Sequence, residues 1–213
     1  MLIAIPIYDR FTALDAVGPY EELSRLPGAE VAFVAEQPGP VRTDTRALAL
    51  VADRALSEVD ACDIVVVPGG PGSRAMLEPN PLHDWLRAVD ATTQWTTSVC
   101  TGALLLGAAG LLDGLEATTH WTALDLLAGL GARPTEGRFV PQGKIVTAAG
   151  VSAGIDMALW LAAQVAGDDV AKAIQLGIEY QPEPPFSSGS TATAPPQIVE
   201  LVRSLSADNA PRP

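Results

Sequence analysis

The hydrophobic positions fall into short, separated runs whose spacing switches between strand-like and helix-like. Leu2 to Tyr8 is an Ile-rich run with no clean alternation, the pattern of a strand buried on both faces, as in parallel sheets. Leu14, Val17, Leu23 and Leu26 can share one helical face, which predicts a helix within 14–26, with Pro19 in its first turn if Asp15 or Gly18 opens it. Glu30 to Ala35 predicts the second strand, and 42–55 a small excursion of short strands. Asp63 to Val67 is the clearest buried strand, stopped by Pro68-Gly69-Gly70-Pro71-Gly72. A helix over Pro81 to Val89 and a strand over Gln94 to Val99 follow, and Cys100-Thr101-Gly102 opens an apolar helix ending near Leu112-Asp113-Gly114. His120 to Leu130 predicts a helix closed by Gly131, and Phe139-Val140 with Lys144 to Ala148 a hairpin around Pro141-Gln142-Gly143. Helices over Ser152 to Val165 and Asp169 to Tyr180 are separated by Gly167-Asp168.

Strands alternating with helices imply right-handed crossovers and a mostly parallel central sheet covered on both faces, an α/β sandwich. The pattern gives one domain over 1–180 and a C-terminal arm over 181–213. Gln181 to Pro196 is rich in Pro and Ser without apolar periodicity, and Gln197 to Ser204 suits a closing helix. The arm is expected to pack across a partner subunit near the site.

Composition narrows the function. With 213 residues, 48% hydrophobic and 18% charged, the chain can bury a sizeable core. A net charge of -12, from 25 acidic and 13 basic residues, makes nucleic acid and anionic membrane surfaces poor partners. Val99 to Leu112 is uncharged but falls short of the ~20 residues that span a bilayer. Met1 to Pro6 lacks the basic n-region of a signal peptide, so a cytoplasmic location is expected. Two cysteines, Cys62 and Cys100, are too few for a disulfide framework or a zinc site. No dinucleotide fingerprint or P-loop occurs, so neither a cofactor nor a metal is expected.

Open α/β sheets carry their chemistry beyond the carboxyl ends of the strands. Two strand-to-helix junctions there have the small-x-nucleophile-x-small spacing of a sharp elbow: Ser98-Val99-Cys100-Thr101-Gly102 and Gly150-Val151-Ser152-Ala153-Gly154. Ser152 needs a general base, yet His83 and His120 both precede it, so it reads better as a helix N-cap. Cys100 needs less help, because a thiol at a helix N-terminus meets unpaired N–H groups that lower its pKa. Cys62 reads as inert packing, and His83, between Leu82 and Asp84, as surface. The backbone of Gly69-Gly70, with the N–H of Thr101, is a candidate oxyanion hole, though a glycine turn alone explains the loop equally well. Asp15 follows the first strand and serves either as a helix cap or, if protonated, as a hydrogen-bond donor to sulfur. His120 reads as a helix-start residue or a substrate contact.

These segments carry a resemblance. Leu14-Asp15-Ala16-Val17-Gly18-Pro19-Tyr20-Glu21, Val67-Pro68-Gly69-Gly70 and Ser98-Val99-Cys100-Thr101-Gly102-Ala103 resemble the ThiJ/PfpI superfamily, and within it the isonitrile hydratase branch. The likeness continues through Ala117-Thr118-Thr119-His120-Trp121, Ala149 to Asp156 and Gln175 to Tyr180, over about residues 1 to 190. It implies a flavodoxin-like three-layer sandwich, a homodimer, Cys100 as nucleophile, Asp15 as its partner acid, Thr101 beside them, and Gly70 and His120 on the substrate. The implied activity is a hydro-lyase reaction on a small isonitrile through a covalent thioimidate. Protease-like and chaperone-like branches place His directly after the nucleophile; Thr101 stands there instead. The same module occurs as the sensing half of AraC-type regulators, but the stretch after Tyr180 is too short here for their helix-turn-helix domain. Two alternatives remain open at this point: cofactor-free hydration of 2-oxoaldehydes, and a non-enzymatic sensor in which Cys100 is oxidised reversibly.

Overall fold

A computed structural model describes residues 1–208; positions 209–213 of the expected arm lie outside the described residues. The strands are β1 (Leu2–Pro6), β2 (Glu30–Ala35), β3 (Gly39–Arg42), β4 (Ala49–Ala52), β5 (Arg54–Ala55), β6 (Ile64–Val67), β7 (Trp95–Val99), β8 (Glu116–Ala117), β9 (Arg133–Pro134), β10 (Phe139–Gln142) and β11 (Ile145–Ala148). The helices are α1 (Ala13–Leu23), α2 (Pro71–Arg74), α3 (Pro81–Asp90), α4 (Gly102–Ala108), α5 (Leu124–Gly129), α6 (Ala153–Ala166), α7 (Asp168–Gly177) and α8 (Pro196–Asp208). Seven strands form the central sheet in the order β10-β11-β7-β6-β1-β2-β5, parallel except for the β10–β11 hairpin. Helices α1, α6 and α7 pack on one another, while α4 gathers α2, α3 and α5, so helices flank the sheet in an α/β fold.

The apolar runs explain this arrangement. The four valine and isoleucine residues of β6 are all buried, and Ile3, Ala4 and Ile5 of β1 have no exposed surface, as strands covered on both faces require. The strand order β2-β1-β6-β7-β11 reverses direction between β1 and β6, and such a switch point opens a crevice at the carboxyl ends of the strands. Thr12 and Asp15 follow β1, the Pro68–Gly70 loop follows β6, and Cys100 follows β7.

Several elements differ from the sequence expectation. Helix α1 starts at Ala13, so Pro19 sits inside it rather than in its first turn. Pro19 has no N–H to give the Asp15 backbone carbonyl, so α1 continues through it one helical bond short. Helix α4 stops at Ala108, six residues before Gly114, and its chain continues as turns with Gly110 and Gly114 at positive φ. His120 to Leu130 is a 3-10 turn (Trp121–Ala123) followed by the short α5, with Gly131 at φ 89 as the expected cap. The 42–55 excursion is the β3–β4 hairpin plus β5 on the sheet edge. His83 is not on the surface: only 1% exposed, it lies in the first turn of α3 with Nε2 3.4 Å from Asn80 Nδ2. Residues 181–195 form no helix or strand, and α8 follows them. No helix among the described residues is long and apolar enough to cross a membrane.

Glu22 is the unusual core residue, 1% exposed with Oε2 unpartnered. Burial pushes its carboxyl up from 4.5 to about 8. The folded chain therefore keeps a proton that the unfolded chain releases near 4.5, so stability falls as pH rises from about 4.5 to about 8 and then levels off. Glu22→Gln removes that loss. Urea melts are expected to show a gain of at least about 1 kcal/mol at pH 9, and almost none at pH 4.

Candidate active site

Cys100 is the hinge between β7 and α4. Its φ of 56° places an L-residue in the left-handed region, the sharp elbow that the small neighbouring residues permit. Three bonds hold it there: its N–H donates to the carbonyls of Ala148 (3.1 Å) and Ala149 (2.8 Å), and its carbonyl accepts from Thr119 Oγ1 at 2.8 Å. The turn is pressed against the end of β6. A Cβ on Gly102 would lie 2.0 Å from the Val67 carbonyl oxygen, and one on Gly69 would lie 2.4 Å from the Thr101 nitrogen. Only glycine fits at either point.

Asp15, Thr101 and Gly70 converge on this elbow. The Asp15 carboxyl has no exposed surface; its Oδ2 accepts from the Gly69 N–H at 2.9 Å, and Oδ1 has no nitrogen or oxygen partner. It lies beside the Cys100 thiol, close enough that each group shifts the titration of the other. The Thr101 hydroxyl bridges the Gly70 peptide, accepting from its N–H at 2.8 Å and lying 3.1 Å from its carbonyl. The N–H groups of Gly69 and Gly70 are thus engaged by Asp15 and Thr101. The backbone donors that reach the Cys100 sulfur come from Thr101 and Val151.

The sequence pattern alone did not single out Tyr8, Thr119 or Val151. Tyr8 donates to the Pro68 carbonyl at 2.7 Å, and its hydroxyl is pushed upward by burial and then by Asp15 and Cys100. Nothing local marks these residues. They come near Cys100 only through the fold: β11 pairs directly with β7, β1 lies one strand away across β6, and Thr119 bonds the Cys100 carbonyl.

Burial governs the charges. Asp15 is pushed from 3.8 up to about 8, first by desolvation, against the opposing bond from Gly69, so the acid is protonated at neutral pH. Burial also pushes the Cys100 thiol well up, with the Asp15 charge second, despite the two backbone N–H donors. The expected lowering by the helix end is outweighed, because a 6%-exposed sulfur loses more hydration than two N–H groups return. Cys62 is buried and pushed up to about 12, in keeping with packing.

His120 stands one layer out. Its Nδ1 is 2.8 Å from Thr122 Oγ1, its ring would meet a Cβ on Gly150, and burial with Arg74 holds it below the ordinary histidine range. Ser152 makes no capping bond; its hydroxyl accepts instead from Arg138 Nη2 at 3.0 Å, while Arg138 Nε pairs with Asp156. Ser152 thus holds the expected N-cap position of α6, but without the expected capping bond, its oxygen accepting instead from Arg138, the residue before β10. His120, Trp121, Arg138, Val151 and Ser152 line a cavity of about 510 Å³. Among the described residues no cluster of three or more His, Cys, Asp or Glu is placed to hold a metal ion.

A buried Cys at a left-handed elbow, flanked by a protonated acid and the glycine loop of the neighbouring strand, sits within a segment matched by a family model. The DJ-1/PfpI family model covers residues 1–164. The chain belongs to the DJ-1/PfpI family. The isonitrile hydratase of Pseudomonas putida is 42% identical over 205 residues, 96% of this chain and 90% of that protein. The crystal structure of a ThiJ/PfpI family protein from Pseudomonas syringae superposes with a TM-score of 0.93 at 38% identity, covering 97% of this chain and 86% of that one. Oxidised DJ-1 of Toxoplasma gondii matches at a TM-score of 0.73 and 27% identity, over 85% of this chain and 99% of that one. In this DJ-1/PfpI chain, Thr119→Val is expected to leave the Cys100 carbonyl only the long contact from Ala103 N–H at 3.5 Å. Urea denaturation should show a loss of about 1–2 kcal/mol, and Thr119→Ser should recover most of it.

Proposed function

We propose that the protein is an isonitrile hydratase, converting R–N≡C and water to the N-substituted formamide R–NH–CHO. The observation that carries this reading is the buried pairing of the Cys100 thiol with an Asp15 carboxyl held protonated to about pH 8. The terminal carbon of an isonitrile has a lone pair and must receive a proton as sulfur attacks it. A neutral carboxylic acid in a dry pocket is suited to give that proton. The 42% identity to the Pseudomonas putida isonitrile hydratase supports the same reaction.

In the proposed sequence, Asp15 gives its proton to the isonitrile carbon and takes the thiol proton as the S–C bond forms. The product is the thioimidate R–N=CH–S–Cys100, with Asp15 again protonated. Water then attacks the imidate carbon. Asp15 gives its proton to nitrogen and takes one from the water, leaving R–NH–CH(OH)–S. Breaking the C–S bond expels sulfur, whose developing charge is met by the Thr101 and Val151 N–H groups. The hydroxyl proton returns to sulfur through Asp15, so the cycle closes with formamide and the free thiol. Gly69 fixes the carboxyl, and Gly70 orients Thr101 rather than binding the intermediate directly. No step needs a metal or organic cofactor, and the reading includes a homodimer. The sensor alternative requires a resting thiolate, which burial and Asp15 oppose.

The test is formamide production from benzyl isonitrile by wild type, Cys100→Ala and Asp15→Asn. Turnover is expected to vanish in Cys100→Ala and to fall by about 10²-fold or more in Asp15→Asn. Full turnover by Cys100→Ala would overturn the proposal. The acid form of Asp15 exists below its raised pKa and is lost as pH climbs through it, so wild-type kcat/KM should decline above about pH 8.

A further inference from the structure

We infer that residues 189–192 of the C-terminal arm form the outer wall of the chamber that receives the isonitrile substituent, and that this chamber selects neutral aromatic substituents over short alkyl ones. The inference rests on the hydratase reading and extends it to the shape of the substrate.

The chamber is the 510 Å³ cavity beside the elbow, within the size that holds small-molecule ligands. Its inner wall is built from Thr119, Gly150 and Val151. Two of these flank Cys100: Thr119 donates to its carbonyl, and the Val151 N–H lies near enough to favour negative charge on its sulfur. Cys100 and Asp15 stand behind this wall rather than in the lining, so the chamber would receive only the part of a substrate that extends from the sulfur past Thr119 and Val151. The outer wall is Gly189, Ser190, Thr191 and Ala192, all exposed and outside any helix or strand. The arm keeps its shape here through a local turn, in which the Ser190 carbonyl accepts from the N–H groups of Thr193 (3.2 Å) and Ala194 (2.9 Å).

The arm is also tied down on both sides of the chamber. Before it, Tyr180 donates from its hydroxyl to Asp156 Oδ1 at 2.9 Å, and Asp156 in turn holds Arg138 on the chamber wall. After it, Arg203 of α8 lies over the Trp121 ring, 5.6 Å from its centroid. These two anchors stretch the intervening residues across the mouth.

The lining sets the chemistry. Trp121 and His120 present rings whose centroids are 5.7 Å apart, an aromatic surface for a flat substituent. Arg138 is the cation of the wall, but Asp156 neutralises it at Nε, Ser152 takes an Nη2 N–H, and Glu136 adds a carboxylate to the lining, so an anionic substituent gains little there. The hydroxyls of Thr135, Ser190 and Thr191 suit neutral polar groups on the ring.

The experiment fills the chamber from the outer wall. Ala192→Trp and Gly189→Trp place bulk in an exposed, irregular segment; a Cβ on Gly189 meets nothing within 4 Å. The ratio of kcat/KM for benzyl isonitrile to that for methyl isonitrile is expected to fall by about tenfold or more in both variants, the scale on which a filled pocket discriminates substrates. A ratio that stays at the wild-type value in both would overturn the inference. A parallel readout needs no hydratase activity: alkylation of Cys100 by N-phenylmaleimide and by iodoacetamide, followed by mass mapping. The variants should slow the aryl reagent selectively. Failure of wild type to hydrate either isonitrile would remove the hydratase reading. The chamber wall would then stand or fall on the alkylation ratio alone.

Discussion

The site depends on one close approach, the seating of the Cys100–Gly102 turn against the end of β6. The Val67 carbonyl occupies the space a Gly102 Cβ would need, and the Thr101 nitrogen lies where a Gly69 side chain would begin. This wedge forces Cys100 to φ 56°, a conformation that costs a non-glycine residue about 1–2 kcal/mol. The surroundings over-determine it: the carbonyls of Ala148, which ends β11, and of Ala149 take its N–H, and Thr119 donates to its carbonyl. The same contact brings the Gly69 N–H to Asp15 and the Gly70 N–H to Thr101, so the elbow and the acid are positioned together. Loosening any one of these bonds shifts sulfur and carboxyl relative to one another.

Burial then decides the protonation. Asp15 and Cys100 are both removed from water, and a charge on Asp15 would further oppose a thiolate, so the pair is neutral at rest. Two N–H groups on sulfur offset part of that penalty only when charge develops there. A pair of this kind keeps its proton until a substrate accepts it, which suits addition across a carbon that needs a proton and a nucleophile together. It is poorly suited to a thiol that must react with oxidants at rest.

Burial at the elbow and exposure at the arm divide the work in space. Cys100 and Asp15 sit at the carboxyl ends of the strands beside the switch point of the sheet, where strands fix their backbone. The cavity walls come from the 118–121, 137–138 and 150–152 turns and from the arm, whose side chains can vary without disturbing the sheet.

β1 and β6 were legible because each is a short apolar run buried on both faces, and Cys100 was legible because small residues on each side of a strand-to-helix junction leave few other readings. Asp15, Thr101 and the glycine loop could be nominated from their places after β1, β7 and β6. Local sequence could not show that Pro19 lies inside α1, that α4 ends at Ala108, that His83 is buried, or that Arg138 captures the Ser152 hydroxyl. Each of those depends on a neighbour distant in the chain. The same holds for the proton on Asp15, the raised thiol pKa, and the roles of Tyr8, Thr119 and Val151, which follow from desolvation and from strand order. The sequence by itself determined the alternation of elements and the residue types at the strand ends, since periodicity and turn chemistry act over a few residues. Tertiary structure alone decided which groups meet and which protons they keep, because proximity and loss of water are properties of the packed sheet.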